Sequence, residues 1–203
     1  MGEQGLRGVV PFGDGAVRFE LPPGIARRAL LDALLALPGV EDAVVTERHA
    51  CVFFDPRGEV PVLAEAIAAA RQAETAAATV EHVIAVRYDG PDLERVAAWA
   101  GLQVKEVIER HLARSYTVEV VGFLPGFAYL GEVDPAIAAP RLPAPRVRVP
   151  PGSVGIAGAR TGIYPFASPG GWNLIGTAIG ETLFDSASGA RLRLGDRVRF
   201  VRG

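Results

Sequence analysis

Hydrophobic and polar residues follow two distinct spacings at the start of the chain. Residues 16–21 alternate between apolar and polar side chains, which is typical of a half-buried strand. Residues 25–37 then carry apolar side chains at helical spacing, and Pro38-Gly39 ends the predicted helix. The N-terminal part is therefore predicted to begin with a strand followed by a helix.

A hairpin and a second helix follow in the same part of the chain. Two β-rich runs, residues 40–46 and 50–55, flank a short polar stretch and predict the hairpin. Residues 60–73 form an alanine-rich helical pattern. The order β-α-β-β-α, completed by a strand at residues 80–88, predicts a ferredoxin-like split β-α-β sandwich.

The second half of the chain changes from helical patterns to strand patterns at Ser115. A strand at residues 83–88 precedes two predicted helices, residues 91–100 and 103–113. Beyond Ser115 the apolar runs are short and are separated by turns rich in glycine and proline. The strands predicted there are residues 116–121, 154–157, 172–175 and 197–201. This pattern indicates a β-barrel or sandwich that carries one or two helices.

The change of pattern predicts an α+β protein with two domains. We expect a small ferredoxin-like α/β domain at residues 1–79 and a β-barrel domain at residues 80–203. The small, polar stretch ETAAAT at residues 74–79 is the predicted hinge. A chain of 203 residues is long enough to bury a core without disulfides or metals.

Charge and composition argue against several classes of function. The net charge of −2 and a pI near 6.0 are unlike a nucleic-acid binder, which usually presents a basic face. Neither a signal-peptide pattern nor an apolar run near the ~18 residues of a membrane span is found, so we expect a cytoplasmic protein. The three histidines have no partner at ligand spacing, which predicts no metal site. The single Cys51 is expected to be a small buried hydrophobe.

The most specific motifs lie between residues 120 and 176, and they include a basic cluster. Arg141, Arg146 and Arg148 lie among prolines that stiffen the loop. Their forked guanidinium groups suit the oxygens of a carboxylate or phosphate. Three solvated arginines on a rigid surface loop are an equally good interpretation.

Aromatic residues in the same segment indicate a pocket. Tyr129, Tyr164 and Trp172 lie close to glycine or proline in turns rather than at helix or strand spacing. Gly170-Gly171 would let a ligand or a partner backbone approach closely. Together with the arginines, these residues suit a small anionic ligand, with core packing as the alternative role of the aromatic rings.

Other candidate groups are less specific. His111 ends a predicted helix, where a cation interacts favourably with the helix dipole; an acid or base role in catalysis is the alternative. The glycine-rich residues 152–158 lack the lysine of a phosphate loop and indicate tight β-turns. Arg160 and Thr161 form either an anion-facing turn or an ordinary one. Ser153 has no base near it in the sequence.

These motifs resemble the KipI-like family, also called allophanate hydrolase subunit 1. The family includes the B subunit of bacterial ATP-dependent 5-oxoprolinase (PxpB) and carboxyltransferase domains of the C and D type. The matching stretches are GFLPGFAYL at residues 122–130, VPPGSV at 149–154, GIAG at 155–158, TGIYP at 161–165 and SPGGWNLIG at 168–176. The match is dense and collinear, and it extends more loosely over nearly the whole chain.

The resemblance implies a fold, an activity and partners. It implies a small N-terminal α/β domain followed by a cyclophilin-like β-barrel. It also implies the B subunit of a complex that uses ATP to hydrolyse 5-oxoproline to glutamate and that is inactive without its partners. Those partners are a larger KipA-like C subunit and an A subunit of the LamB/YcsF type. Two alternatives are the carboxyltransferase half of a biotin-dependent urea or amide carboxylase and an inhibitor of a sensor histidine kinase.

The resemblance further implies the site residues. It gives catalytic roles to His111, as a proton shuttle, and to Arg148 and Tyr164. The substrate-binding residues that it implies are Phe123, Pro125, Tyr129, Arg146, Ser153, Arg160, Trp172 and Asn173. Arg160 departs from the family pattern, which often has Gln there. Bracing of the barrel and of a partner interface is the alternative role for the whole set.

Overall fold

The computed structural model describes residues 6–73 and 79–203 of the chain. Its contacts divide the chain into two compact units, Met1–Ala78 and Thr79–Gly203. The first combines a sheet with helices and the second is built on a closed barrel, so the α+β class is confirmed. The predicted hinge lies outside the described residues except for Thr79.

The N-terminal unit is an antiparallel sheet with two helices. Its elements are strands β1 (Arg7–Pro11), β2 (Ala16–Glu20), β3 (Val40–Val45) and β4 (His49–Phe54) and helices α1 (Arg27–Leu35) and α2 (Leu63–Ala73). The sheet has the order β1-β2-β4-β3, and α1 packs against α2 and β3. Alternation along the strands buries Phe19 and Val52, and Leu30 and Leu34 of α1 are equally buried.

The hairpin and helices predicted for this unit are confirmed, but its fourth strand is not the expected one. The edge beside β2 is occupied by β1, all of whose side chains are exposed, so no alternation marked it in the sequence. Residues 80–88 instead pair within the barrel, because Ile84 and Val86 belong to the barrel core. Cys51 is only partly buried, since it faces away from the buried side of β4.

The C-terminal unit is a closed seven-stranded barrel, as predicted. Around the barrel lie β10 (Arg160–Ile163), β7 (Ala128–Gly131), β6 (Ser115–Val121), β15 (Arg197–Arg202), β5 (Glu81–Arg87), β12 (Asn173–Ala178) and β9 (Ser153–Ala157). Neighbouring strands are antiparallel except for β5 and β15, which run parallel. Closure leaves the strands of this barrel without an unpaired edge.

Two α-helices, a short 3-10 helix (Pro135–Ile137) and two short ribbons complete this unit. The helices are α3 (Leu93–Ala100) and α4 (Val104–Leu112), and the ribbons pair β8 (Arg146–Val149) with β11 (Ser168–Gly170) and β13 (Phe184–Asp185) with β14 (Gly189–Ala190). Gly101 ends α3 in the left-handed conformation, with φ +66°. Both helices predicted here are confirmed. The predicted stiff loop around Arg146 is a strand of the first ribbon, because β8 pairs with β11.

The helices in the part of the chain that the structure describes are too short or too polar to cross a membrane.

Candidate functional site

A surface pocket of about 230 Å³ lies between three segments of the C-terminal unit. Its aromatic walls are Phe123, Phe127, Tyr129, Tyr164 and Trp172. Arg141 is its charged side chain, and proline and glycine residues supply the remaining surface. The pocket is therefore an aromatic surface with a single cationic group.

Phe127 joins the aromatic rings into one cluster. Its ring meets those of Phe123, Tyr129, Tyr164 and Trp172 edge to face, at centroid separations of 5.5, 4.9, 5.2 and 5.5 Å. Phe127, Tyr164 and Trp172 are each less than 5% exposed. Edge-to-face contacts of this kind hold rings at fixed angles, so the pocket floor is preformed.

A tight turn from Gly122 to Phe127 brings two of these rings to the pocket. Phe123 and Gly126 both lie in the left-handed region, with φ of +75° and +78°. The Phe127 carbonyl accepts a hydrogen bond from the Gly122 N–H at 3.0 Å. A Cβ at Gly126 would lie 2.7 Å from the Cβ of Phe184, so only glycine fits there.

Gly170 allows the β8–β11 ribbon to approach Tyr164. A Cβ at this position would lie 2.4 Å from the Tyr164 hydroxyl oxygen. Burial raises the pKa of Tyr164, so its hydroxyl stays protonated near neutral pH. The side chain is thus a neutral wall with a hydroxyl group rather than a base.

Arg141 brings positive charge to this aromatic surface. Its guanidinium carbon lies 6.0 Å from the centroid of the Trp172 ring, which is a cation–π distance. Burial raises the pKa of Tyr129, and the positive charge of Arg141 opposes that rise. Sequence reasoning placed Arg141 in the basic cluster but gave it no role of its own. Its separation from Trp172 by 31 residues concealed their contact.

The Arg146 side chain is hydrogen-bonded to Asp92, which lies outside the pocket lining. Its guanidinium donates to both carboxylate oxygens of Asp92, at 2.7 and 2.8 Å, and to the Trp172 carbonyl at 3.3 Å. Asp92 also accepts the Leu174 N–H at 2.7 Å. The pair therefore ties the start of α3 to β8 and to the chain that enters β12. The substrate-binding role of Arg146 stays a prediction, since its side chain does not line the pocket.

Asn173 is fully buried and serves the backbone around it. Its amide nitrogen donates to the Pro140 carbonyl at 2.9 Å and to the Ile156 carbonyl at 3.1 Å. These bonds connect β12 to β9 and to the segment that leads into Arg141. Asn173 therefore lies behind the pocket wall, where it positions the chain on either side of Trp172.

The remaining sequence-predicted residues lie outside the pocket lining. Arg148 and Pro125 are exposed, Ser153 is buried at the start of β9, and Arg160 is in strand β10 rather than in a turn. The Arg160 guanidinium lies against the backbone at Gly131, the β7 residue with which Arg160 pairs. Arg160 and Thr161 begin strand β10 and continue the barrel sheet, so they form neither of the two turns that the sequence left open. The substrate-binding role of Arg160 stays a prediction.

His111 lies inside the barrel, in a chain of hydrogen bonds. Its Nε2 is 2.9 Å from the Thr161 hydroxyl, which itself donates to the Gly155 carbonyl at 3.0 Å. Since the Thr161 proton is used in that bond, Nε2 carries the histidine proton and donates it to Thr161. Nδ1 then accepts from the Tyr88 hydroxyl at 2.8 Å. Both ring nitrogens are occupied.

The surroundings of His111 favour its neutral form. The ring is 0% exposed and stacks on Phe200 with a centroid separation of 4.7 Å. Burial lowers the pKa of His111 to about 3. The dipole explanation, which required a cation, therefore does not apply, and the proton-shuttle role stays a prediction.

The structure thus brings together four of the predicted site residues: Phe123, Tyr129, Tyr164 and Trp172. It adds Phe127, which the sequence did not indicate, and Arg141, which the sequence placed in the basic cluster without a role of its own. No cluster of three or more His, Cys, Asp or Glu side chains suited to a metal ion occurs within residues 6–73 and 79–203. The arrangement is suited to holding a small anion against aromatic rings.

The fold and the motifs define a member of the carboxyltransferase family. The sequence matches the family described as "Carboxyltransferase domain, subdomain C and D" over residues 9–191, and the chain belongs to that family. The predicted KipI-like membership is confirmed by this match and by the curated relatives of the chain.

These curated relatives are named as the B subunit of 5-oxoprolinase. The chain is similar to the one from Escherichia coli O157:H7, with 52% identity over 115 residues, 55% of this chain and 52% of that protein. It is similar to the one from Bacillus subtilis (strain 168), with 49% identity over 114 residues, 56% of this chain and 48% of that protein. The matched part spans about half the length of these relatives.

Solved structures show the same architecture. TTHA0988 is 38% identical with a TM-score of 0.76, covering 93% of this chain and 40% of that one. The conserved uncharacterized protein PH0987 from Pyrococcus horikoshii is 36% identical with a TM-score of 0.56, covering 96% of this chain and 97% of that one. The urea carboxylase of Kluyveromyces lactis is 15% identical with a TM-score of 0.62, covering 99% of this chain and 23% of that one; it shares the fold alone.

Proposed function

We propose that this chain is the B subunit of an ATP-dependent 5-oxoprolinase and that it acts in a complex with the A and C subunits. The proposal is supported by the similarity to proteins named as the B subunit of 5-oxoprolinase. In the proposed reaction, water adds across the lactam C–N bond of 5-oxoproline, giving the amine and the second carboxylate of glutamate. ATP hydrolysis drives this step.

The observation that carries the proposal is the make-up of the pocket. Its lining offers one guanidinium and five aromatic rings, which suit binding of a small anionic ring compound. Carboxylate, histidine and lysine side chains are absent from that lining. Tyr129 and Tyr164 do not replace them as bases, because burial raises the pKa of both phenols. A site that binds but lacks a base fits a protein that needs partners for catalysis.

The catalytic assignments of His111, Arg148 and Tyr164 remain part of this proposal. Of the three, Tyr164 lines the pocket, Arg148 is exposed on β8, and His111 is enclosed in the barrel. A partner that covers the pocket would supply the groups that polarise the lactam and activate water. ATP is assigned to the complex as a whole and not to one of its chains.

Reconstitution tests the proposal. Glutamate release from 5-oxoproline and ATP is measured with this chain alone, with each candidate partner, and with the A and C subunits together. We expect ATP-dependent glutamate release in the full mixture and none from this chain by itself. Omission of ATP, and omission of this chain, are the matched controls.

Two other results would redirect the assignment. A full mixture that forms a stable complex but releases no glutamate would contradict the 5-oxoprolinase proposal. The family description favours carboxyl transfer as the next candidate. Transfer of carboxylate from carboxybiotin to urea or an amide, measured with the same preparation, would then establish it.

A further inference from the structure

We propose that Arg141 binds the carboxylate of the substrate and that the surrounding aromatic side chains hold its small ring. This inference rests on the proposed function for the identity of the substrate. It concerns a residue to which the sequence motifs gave no separate role. The ligand class is a small cyclic monocarboxylate, of which 5-oxoproline is one.

The Arg141 guanidinium is available to a ligand. Arg141 is exposed, and its contact in the described part of the chain is with the Trp172 ring. It makes no hydrogen bond or ion pair with the residues that the structure describes, in contrast to Arg146, whose guanidinium is bonded to Asp92. A carboxylate would therefore find the donor fork of Arg141 unoccupied.

The charge of Arg141 acts on the pocket interior. Arg141, Tyr129 and Tyr164 line the same pocket, and the positive charge of Arg141 opposes the rise that burial causes in the pKa of both phenols. The pocket lining contains no acidic side chain that would neutralise this charge. The pocket therefore attracts anions, and protonated phenols near the same point can donate to a carboxylate oxygen.

The dimensions of the pocket restrict the ligand. A volume of about 230 Å³ is below the roughly 300–1,000 Å³ of drug-sized ligand sites. Flat aromatic walls suit a five-membered ring better than a flexible chain, because a rigid ring loses little conformational entropy on binding. A small ring that bears one carboxylate fits both the size and the charge of the site.

Direct binding to the purified full chain tests the inference. Calorimetric titrations use 5-oxoproline, its uncharged isostere 5-oxoprolinamide, and cyclopentanecarboxylate, which keeps the carboxylate but lacks the lactam. We expect saturable binding of both carboxylates and at least about tenfold weaker binding of the amide, the range expected for one charge-assisted hydrogen-bonded contact.

Variants connect the binding to Arg141. Arg141→Ala is expected to weaken carboxylate binding by about tenfold or more without changing the weak binding of the amide. Arg141→Lys, which keeps the charge but not the fork, should give an intermediate affinity. Arg95→Ala is the matched control, because Arg95 is also an exposed arginine of this unit but lies outside the pocket lining. Its affinity should equal that of the wild type.

Three outcomes would overturn the inference. They are absence of saturable carboxylate binding to the wild-type chain, equal affinities of Arg141→Ala and wild type, and loss of binding in Arg148→Ala but not in Arg141→Ala. Failure of the proposed function looks different. Cyclopentanecarboxylate would then bind in an Arg141-dependent manner while the reconstituted complex releases no glutamate from 5-oxoproline.

Discussion

Phe123 holds an unusual backbone conformation at the edge of the pocket. Its φ of +75° lies in the left-handed region, which is unfavourable for bulky side chains, and its ring is 59% exposed. Strained residues persist where the surrounding structure holds them, and they are common at ligand sites. The contact between its ring and Phe127 at 5.5 Å is one reason that this conformation is kept.

Two substitutions of Phe123 distinguish the effect of its backbone strain on stability from the effect of losing its ring. Phe123→Gly and Phe123→Ala both remove the ring, but only glycine removes the strain of the positive φ. In urea titrations we expect the free energy of unfolding of Phe123→Gly to be about 1 kcal/mol higher than that of Phe123→Ala. Both variants should bind 5-oxoproline more weakly than wild type. Equal stability of the two variants would show that the left-handed conformation is not retained in solution.

Burial of His111 predicts that the folding stability of the protein depends on pH. Its pKa is lowered from 6.5 to about 3, so the unfolded chain takes up a proton that the folded chain excludes. The stability associated with neutral His111 is fully present above pH 6.5 and is lost as the pH falls towards 3. The loss through this single group approaches about 1.4 kcal/mol per pH unit inside that window.

His111→Gln tests this linkage. Its amide oxygen can accept from Tyr88 and its amide nitrogen can donate to Thr161, so the hydrogen-bond chain is retained without a titrating group. Urea unfolding of both proteins at about pH 7 and about pH 5 gives the comparison. We expect the wild type to lose more stability than the variant between these pH values. Identical losses would mean that His111 is not held neutral by burial.

At the scale of elements, the Asp92–Arg146 pair fixes the pocket wall. It joins α3, β8 and the entrance to β12, and Asp92 is 6% exposed. Asp92→Ala leaves a partly buried guanidinium and a backbone N–H without their acceptor. We expect the free energy of unfolding to fall by about 2–3 kcal/mol.

Glu94→Ala is the control for this prediction. Glu94 is also acidic and lies in the first turn of α3, but it is exposed. Its removal should therefore change the free energy of unfolding by less than about 0.5 kcal/mol. Urea midpoints of the three proteins, measured at one pH, give the result. An Asp92→Ala variant as stable as Glu94→Ala would show that the pair does not hold the wall in place.

The sequence predicted those elements whose side chains alternate between environments. The helices and the β3–β4 hairpin showed this clearly, because each has one buried and one exposed face. Strand β1 is exposed at every position, so no periodicity marked it. Strand β9 is buried at every position, and it was predicted at residues 154–157 as a short apolar run without alternation. The ribbon strand β8 was concealed by its arginines and by the prolines that flank it, and its pairing with β11 depends on residues about twenty positions away.

The candidate site was predictable only in part. Tyr129, Tyr164 and Trp172 were recognisable because each lies close to a glycine or proline in the sequence. The turn expected at Tyr129 is wrong, since this residue lies in strand β7. The different environments of Arg141, Arg146 and Arg148 could not be predicted. Arg146 pairs with Asp92, which lies some fifty positions earlier in the chain. Such a pairing depends on tertiary contacts that no local pattern records.

At the scale of the whole molecule, the pocket and the buried His111 chain both lie within residues 79–203. They are distinct: the pocket is open to solvent and has an available cation, whereas the histidine is enclosed and neutral. We therefore assign ligand binding to the aromatic pocket and a contribution to barrel stability to the histidine, whose proton-shuttle role stays a prediction. Under the proposed function, catalysis takes place in the complex with the partner subunits.

A crystal structure of this chain soaked with 5-oxoproline tests that assignment most directly. We expect the ligand in the aromatic pocket, with its carboxylate at hydrogen-bond distance from the Arg141 guanidinium. A ligand bound instead at Arg148, or an empty pocket in crystals soaked at a concentration that saturates the chain in solution, would contradict it.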